Sequence, residues 1–361
     1  MPHREPDEVL VRVLACGVCC TDRHVIDGEL PVHRDHVIPG HQVVGDVASV
    51  GSPVRSLAPG NLVGVAWLRS SCGFSEWCRS GRENLCPDSS YAGWDFDGEC
   101  AEYLIVAIDF AYPLPAGTDP IRTAPLLCTG IIGYRALQRG MLLPGGNLGL
   151  YGLGSSAHLT AQIAKAAVAR ISAITRAAAD QELARSLGVD FVGGQDATPD
   201  VLLDSAIIFR PSGQIVPQAL AATKRGGTVV IACIHMSDIP AMNYEGALFY
   251  ERDLRTVTAN TRTDGEAVLR IAPTWRSLPK SPSTRSQRST RRSMAFALAE
   301  HRVHSSSRFP DHHTVAAHRT KYEGRKSLAE AGRDARFESN AAPLQKIVSR
   351  HDVPDDYPRY Q

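Results

Sequence analysis

The run Gly149-Leu-Tyr-Gly152-Leu-Gly154-Ser-Ser-Ala157 restricts the fold of this chain more than any other stretch. It follows a strand-like segment, Asn147-Leu-Gly-Leu-Tyr151, and opens an Ala-rich stretch of helical character at about 157–169. The first glycine of such a fingerprint permits a tight turn, and the second lets the backbone approach a pyrophosphate. A small third residue, here Ala157, lets helix and strand pack closely, and the pyrophosphate sits on the helix N-terminus. A strand-like run at 170–175, a helix near 178–187 and strands at 205–209 and 228–233 follow. Strand alternating with helix predicts a parallel sheet covered on both faces.

Upstream the texture changes. Residues 9–118 carry short apolar runs, such as Val9-Leu-Val-Arg-Val13 and Val43-Val-Gly-Asp-Val47, punctuated by Gly and Pro. They predict a β-rich domain. The expected organisation is therefore a β-rich domain at 1–118, a dinucleotide-binding domain at 119–272 and an atypical tail at 273–361. From Arg276 to Arg292 that tail has six Lys/Arg and no acid, with neither helical nor strand periodicity. It cannot bury enough apolar surface to offset its ordering entropy, and disorder is expected.

Lysine plus arginine (39) nearly cancels aspartate plus glutamate (38), so no global charge argues for nucleic acid or an anionic membrane. The polar start and the lack of a long apolar run predict a soluble, cytoplasmic protein with no membrane partner. Nine cysteines in such a compartment point to metal binding or catalysis rather than disulfides. Cys16, Cys100 and Cys233 read as small buried apolar residues.

The metal signal is Cys16-Gly-Val-Cys19-Cys20-Thr21-Asp22-Arg-His24. Alone it reads equally as a structural knuckle or a buried turn. With Pro39-Gly40-His41 and Leu127-Cys128-Thr-Gly130 it is more specific. Catalytic zinc takes three protein ligands and keeps a fourth position open, and thiolate and imidazole suit its softness.

Over about residues 9–272 these motifs, in this order, resemble the zinc-dependent alcohol dehydrogenases of the medium-chain dehydrogenase/reductase family. The resemblance implies an α/β fold, a GroES-like catalytic domain joined to a doubly wound Rossmann domain. It makes Cys19, His41 and Cys128 the ligands of a catalytic zinc. Thr21 would pass the alcohol proton outward, His24 would be the outer member of that relay, and Asp22 would orient the ligand histidine. Cys20 stands where many relatives carry His and is not expected to bind the metal. Gln42 replaces the carboxylate of the family's Gly-His-Glu. Trp67 resembles the pocket tryptophan of small-alcohol enzymes, or is a plain core aromatic.

The family's structural zinc takes four cysteines. Here Cys72, Cys78 and Cys86 match, but Ser75 stands where the second cysteine belongs, and a hydroxyl is a poor zinc ligand beside a thiolate. A weakened site is expected. Gly149, Gly152, Gly154 and Ala157 become the cofactor turn. Arg176 follows the second strand where an NAD site usually has an acid; an arginine there suits a 2′-phosphate, so the cofactor is NAD or, by this residue, NADP. The implied chemistry is reversible hydride transfer between a small primary or secondary alcohol and the nicotinamide, with zinc as Lewis acid. A homo-oligomer is implied for a correctly folded chain.

Relatives begin ahead of Val9 and continue past Ala272 with a helix and a closing strand. A change of reading frame near Ala272 is expected to explain the break; in the shifted frame Ser305, Ser306 and Ser307 become three apolar residues in succession. Two further readings stand beside the active enzyme: a zinc-free, quinone-reductase-like member, and an inactive relic that binds zinc or nucleotide.

Overall fold

Alternating apolar residues make β1 (Glu8–Cys16) a strand with one buried face, and Val9 and Val11 point into the interior. The computed structural model describes residues 5–34, 36–52, 56–98 and 100–272. After β1 come β2 (Val43–Val50), β3 (Leu62–Val65), a short ribbon of β4 (Leu68–Ser70) with β5 (Ser90–Tyr91), then β6 (Tyr103–Ala107) and β7 (Ala111–Pro113). Five of these form an antiparallel sheet in the order β6-β1-β2-β3-β7. Register shifts between Leu10 and Val11 and between Val13 and Ala15 bend β1 against β2. Val9, Val11, Val43, Val47, Val63, Val65 and Phe110 fill the core on one side.

Between these strands lie α1 (Cys20–Ile26) and α2 (Glu76–Arg79), and beyond them α3 (Pro120–Thr123) and α4 (Thr129–Gly140). The second layer system then begins with β8 (Asn147–Tyr151), α5 (Ser155–Ala166), β9 (Arg170–Ile174), α6 (Ala178–Ser186) and β10 (Phe191–Gly193). It continues with β11 (Leu203–Ile208), α7 (Ile215–Ala221), β12 (Thr223–Ile231), α8 (Tyr244–Ala247), β13 (Asp253–Thr256) and α9 (Arg262–Ile271). The sheet order is β10-β9-β8-β11-β12-β13, all parallel, which is the dinucleotide-binding order with its crevice beyond the carboxyl end of β8. This matches the α/β architecture read from the sequence. The helix after the glycine turn starts earlier than the Ala-rich stretch suggests, because Gly154 serves as its N-cap. It stops at Ala166, just before Val168 turns left-handed at φ 61°. Strand β12 likewise starts at Thr223, with a register shift where β11 pairs with it.

One apolar cluster joins the antiparallel sheet to helices α4, α5 and α9: Val44, Ala66, Tyr112, Leu127, Ile131, Leu159 and Val268. Polar latches reinforce it. Buried Glu83 accepts the Arg262 backbone N–H at 2.8 Å at the start of α9, and Asn84 donates to the Thr258 carbonyl at 2.8 Å. The expected tail at 273–361 and its change of frame lie outside the described residues. Among the described residues no helix is long and apolar enough to cross a membrane.

Candidate functional site

Three loops deliver three soft or borderline donors to one point. Cys19 caps α1: its Sγ receives the Thr21 N–H at 3.3 Å, while its own N–H donates to Asp22 Oδ2 at 2.8 Å. His41 leads into β2 from a loop held by Gly98 N–H to the Ile38 carbonyl at 2.6 Å. That approach needs glycine: a Cβ at Gly98 would lie 2.2 Å from the Gly40 carbonyl oxygen. Cys128 sits between the turn Ala124–Leu127 and α4, and buried Leu127 packs on β3 where a Cβ at Gly64 would come within 2.9 Å of it. The close seat of Leu127 thus fixes Cys128 opposite the other two.

Cys19 Sγ and Cys128 Sγ each lie 3.3 Å from His41 Nε2, and the sulfurs are 3.9 Å apart. Tetrahedral bonds of ordinary zinc length would separate two sulfurs by about 3.8 Å and a sulfur and a nitrogen by about 3.5 Å. The donor set therefore fits one zinc ion, and the sulfurs are too far apart for a disulfide. Asp22 stands behind. Its Oδ1 lies 2.8 Å from His41 Nδ1 and accepts the Gly40 N–H at 3.0 Å, and both Asp22 and His41 are almost fully buried. An ionised carboxylate only accepts, so Nδ1 carries a proton and Nε2 is the nitrogen that faces the two sulfurs.

The electrostatics ask for a cation. The hydrogen bond from Cys128 holds the Cys19 thiol well below its usual range, and the same bond together with burial holds Cys128 well above. Burial pushes the His41 ring down, yet Asp22 and the two sulfurs outweigh it and hold the ring well above its ordinary value. One proton is shared where a divalent ion would displace it.

Around this point the structure groups Trp67, which the resemblance singled out, with two aromatic residues that it did not. Trp67 lies 6.4 Å, ring to ring, from His41, with Tyr91 at 4.3 Å and Trp94 at 5.9 Å from Trp67. Its Nε1 is buried with no partner among the described residues, as is Gln42 Nε2. Tyr91 ends the two-residue strand β5 and Trp94 lies in the turn after it, a stretch too short to carry a periodic signal. Thr21 and His24 occupy successive turns of α1, and His24 Nδ1 contacts Glu29 Oε2. Cys20 is exposed and takes no part in the cluster. Cys16 and Cys100 are buried and Cys233 is half-buried, its thiol pushed up to about 12 by burial.

Residues 5–116 match the model of the alcohol dehydrogenase GroES-like domain. A probable alcohol dehydrogenase of Mycobacterium tuberculosis is 53% identical over 279 residues, covering 75% of this chain and 80% of that protein. The chain belongs to the zinc-dependent alcohol dehydrogenases. Among solved structures, a cinnamyl alcohol dehydrogenase from Sorghum bicolor superposes with a TM-score of 0.69 at 29% identity, covering 76% of this chain and 82% of that one. A structure described as a zinc-binding dehydrogenase from Sinorhizobium meliloti 1021 bound to NADP gives 0.70 at 28% identity, covering 76% and 83%.

As in the alcohol dehydrogenase resemblance, a second thiol cluster lies in the lobe between β4 and β5. Cys72 Sγ is 3.8 Å from Cys78 Sγ and 3.4 Å from Cys86 Sγ. Ser75 caps α2, its Oγ receiving the Cys78 N–H at 3.4 Å. The Ser75 hydroxyl is the first cause holding the Cys72 thiol down at about 6, and the Ser75 N–H donates to Cys72 Sγ at 3.3 Å. Ser75 thus lies beside a three-sulfur set.

The glycine turn after β8 leaves open space beside its backbone. Gly152 adopts φ 89°, and a Cβ on Gly154 would meet nothing within 4 Å. Ala157 is fully buried beneath the turn and Gly149 lies inside β8, where a Cβ would strike Leu203 at 2.4 Å. After β9, Thr175 is buried and its Oγ1 donates to Asp180 at 3.2 Å, whereas Arg176 is exposed and makes no ion pair among the described residues.

Proposed function

We propose that this chain oxidises a small primary or secondary alcohol to an aldehyde or ketone, reversibly, with zinc and a nicotinamide dinucleotide as cofactors and NADP preferred over NAD. The observation that carries the reading is the convergence of Cys19, His41 and Cys128 at zinc-ligand spacing, with Asp22 bonded to the far nitrogen of His41. Cys19, His41 and Cys128 would hold the zinc, which would supply Lewis acidity toward the alcohol oxygen, and the dinucleotide would supply the hydride acceptor. The chain's own residues do the rest. Thr21 accepts the alcohol proton, and His24 carries it toward solvent. Trp67, with Tyr91 and Trp94 behind it, walls the side next to His41 against water. Gly149, Gly152, Gly154 and Ala157 seat the pyrophosphate, and exposed Arg176, with no ion pair among the described residues, supports the 2′-phosphate reading. Cys72, Cys78 and Cys86, with Ser75, are assigned a second, weaker zinc.

The antiparallel strands all precede Pro113 and the parallel strands all follow Asn147, which supports a catalytic domain at 1–118 and a nucleotide domain at 119–272. A cytoplasmic homo-oligomer is part of the same proposal. The test is alcohol-dependent reduction of NADP and NAD by zinc-loaded protein, before and after chelation. Turnover lost on chelation and restored by zinc is expected, as is loss in Cys19→Ser; turnover that survives metal removal favours the zinc-free reductase. Ser75 and Gln42 favour one second reading, an inactive relic, and full zinc occupancy without turnover would select it.

A further inference from the structure

We propose that Glu29 is the positioning residue of the proton path, fixing through His24 Nδ1 the tautomer that leaves His24 Nε2 free to receive a proton. The inference rests on the dehydrogenase reading. Helix α1 ends with Asp27 N–H on the Arg23 carbonyl at 2.8 Å, and the chain then reverses at Gly28 with φ 70°. The reversal returns Glu29 over the helix it has just left. Its N–H donates to the His24 carbonyl at 2.9 Å, and its Oε2 contacts His24 Nδ1. Two residues are thus joined twice, by backbone and by side chain, which holds the imidazole in one orientation.

The charge arithmetic follows from the contact. A carboxylate has no proton to give, so Nδ1 must donate and Nε2 must be the lone-pair nitrogen of the neutral ring. When Nε2 takes the proton that Thr21 passes on, the ring becomes a cation directly against the Glu29 anion. Release to water reverses the step: Nε2 loses the proton, Nδ1 keeps its own, and Glu29 remains ionised throughout. The His24 side chain is only 13% exposed while that of Glu29 is 42% exposed, so the carboxylate lies between a shielded ring and solvent. Other charged groups face the pair. Arg23 lies on the same helix and is itself 3.6 Å from Asp27, and His235 comes from the loop after β12 with its ring 5.8 Å from that of His24. The His24 contact first, and then Arg23 and His235, hold the Glu29 carboxyl below its ordinary value, so it is ionised across the working range.

Two measurements on the full-length, zinc-loaded protein test this. The first reads the tautomer without turnover, by long-range proton–nitrogen spectra of the histidine rings, with His24→Gln assigning the signals. The Nδ1–H form is expected in the wild type, with mixed tautomers in Glu29→Gln; an Nε2–H form in the wild type overturns the proposal. The second is a double-mutant cycle in kcat/KM for alcohol oxidation against pH. Glu29→Gln should lower kcat/KM about tenfold, a fraction of the hundredfold or more that a positioned proton acceptor contributes. Glu29→Asp should recover most of the loss, and Glu29→Gln should add nothing measurable to His24→Gln. Equal losses in both backgrounds mean that Glu29 is merely structural and overturn the proposal. A wild type without turnover defeats the dehydrogenase reading instead, and the tautomer spectrum still decides the role of Glu29.

Discussion

Replacing Asp22 with Asn keeps the shape of the site and removes what holds it together. The carboxylate accepts three N–H groups, from Cys19 at 2.8 Å, Gly40 at 3.0 Å and His41 Nδ1 at 2.8 Å, and is only 3% exposed. An amide has one accepting oxygen, so its NH2 must face at least one of these donors. Leaving one buried donor unsatisfied costs roughly 1–3 kcal/mol. The lost partner also lets the His41 ring rotate and makes it a poorer ligand, and such changes weaken zinc by about ten- to a hundredfold. Proton competition works the other way. Asp22 is the strongest of the groups that raise His41, so in the variant the ring gives up its proton more readily. As pH falls, the wild-type ring is protonated first and loses zinc first, so the gap between the two proteins narrows at low pH and is widest at high pH. Chelator competition at several pH values gives both zinc dissociation constants, and thermal melting of the metal-free forms gives the structural part. An affinity within twofold of wild type at high pH would refute the claim that Asp22 orients the ligand.

Other residues make sharp predictions too. Ser75→Cys should add up to one zinc per chain by metal analysis and raise the Tm with zinc present, while lowering it slightly without zinc because the cap on Cys78 N–H is lost, at about 1 kcal/mol. In the zinc-free protein Cys72, held down at about 6, is mostly thiolate at pH 7, where an unperturbed thiol near 8.5 is ionised by only a few per cent. Iodoacetamide should therefore label it ahead of Cys86, whose thiol burial pushes up, and Ser75→Ala should slow that labelling. The same shift adds stability that is complete above the unfolded thiol value and lost as pH falls through about 6. Arg176→Asp should lower kcat/KM for NADP at least tenfold, the loss of one charge-assisted contact of about 1.5 kcal/mol, and raise it for NAD; an unchanged ratio would exclude Arg176 from the phosphate site.

Legibility followed burial. Strands β8 and β11 are covered on both faces, so their apolar runs at 148–151 and 206–208 stand out, and the glycine turn between β8 and α5 marks the nucleotide lobe. Helix α4 gave no such signal. Beside Thr129 and Ile131 its buried face is built from Gly130, Gly133, Ala136 and Gly140, small residues that the packing demands, since a Cβ at Gly133 would fall 2.3 Å from Thr160 Oγ1. Edge strand β13 is Asp-Leu-Arg-Thr, with too little apolar character to be seen without its neighbour β12. Cys19, His41 and Cys128 are 22 and 87 residues apart, so spacing alone proves nothing about them; residue type and order carried that reading, through a family resemblance. Glu29 was invisible because its partner is reached only by the reversal at Gly28, and Tyr91 and Trp94 because a two-residue strand and the turn after it stack them on Trp67.

The most direct test of a zinc held between the two lobes is an anomalous difference map at the zinc edge from crystals of the zinc-loaded chain. The account places a peak about 2.3 Å from the sulfurs of Cys19 and Cys128 and about 2.0–2.1 Å from His41 Nε2. A blank map at that point, with these side chains turned away from one another, would contradict it.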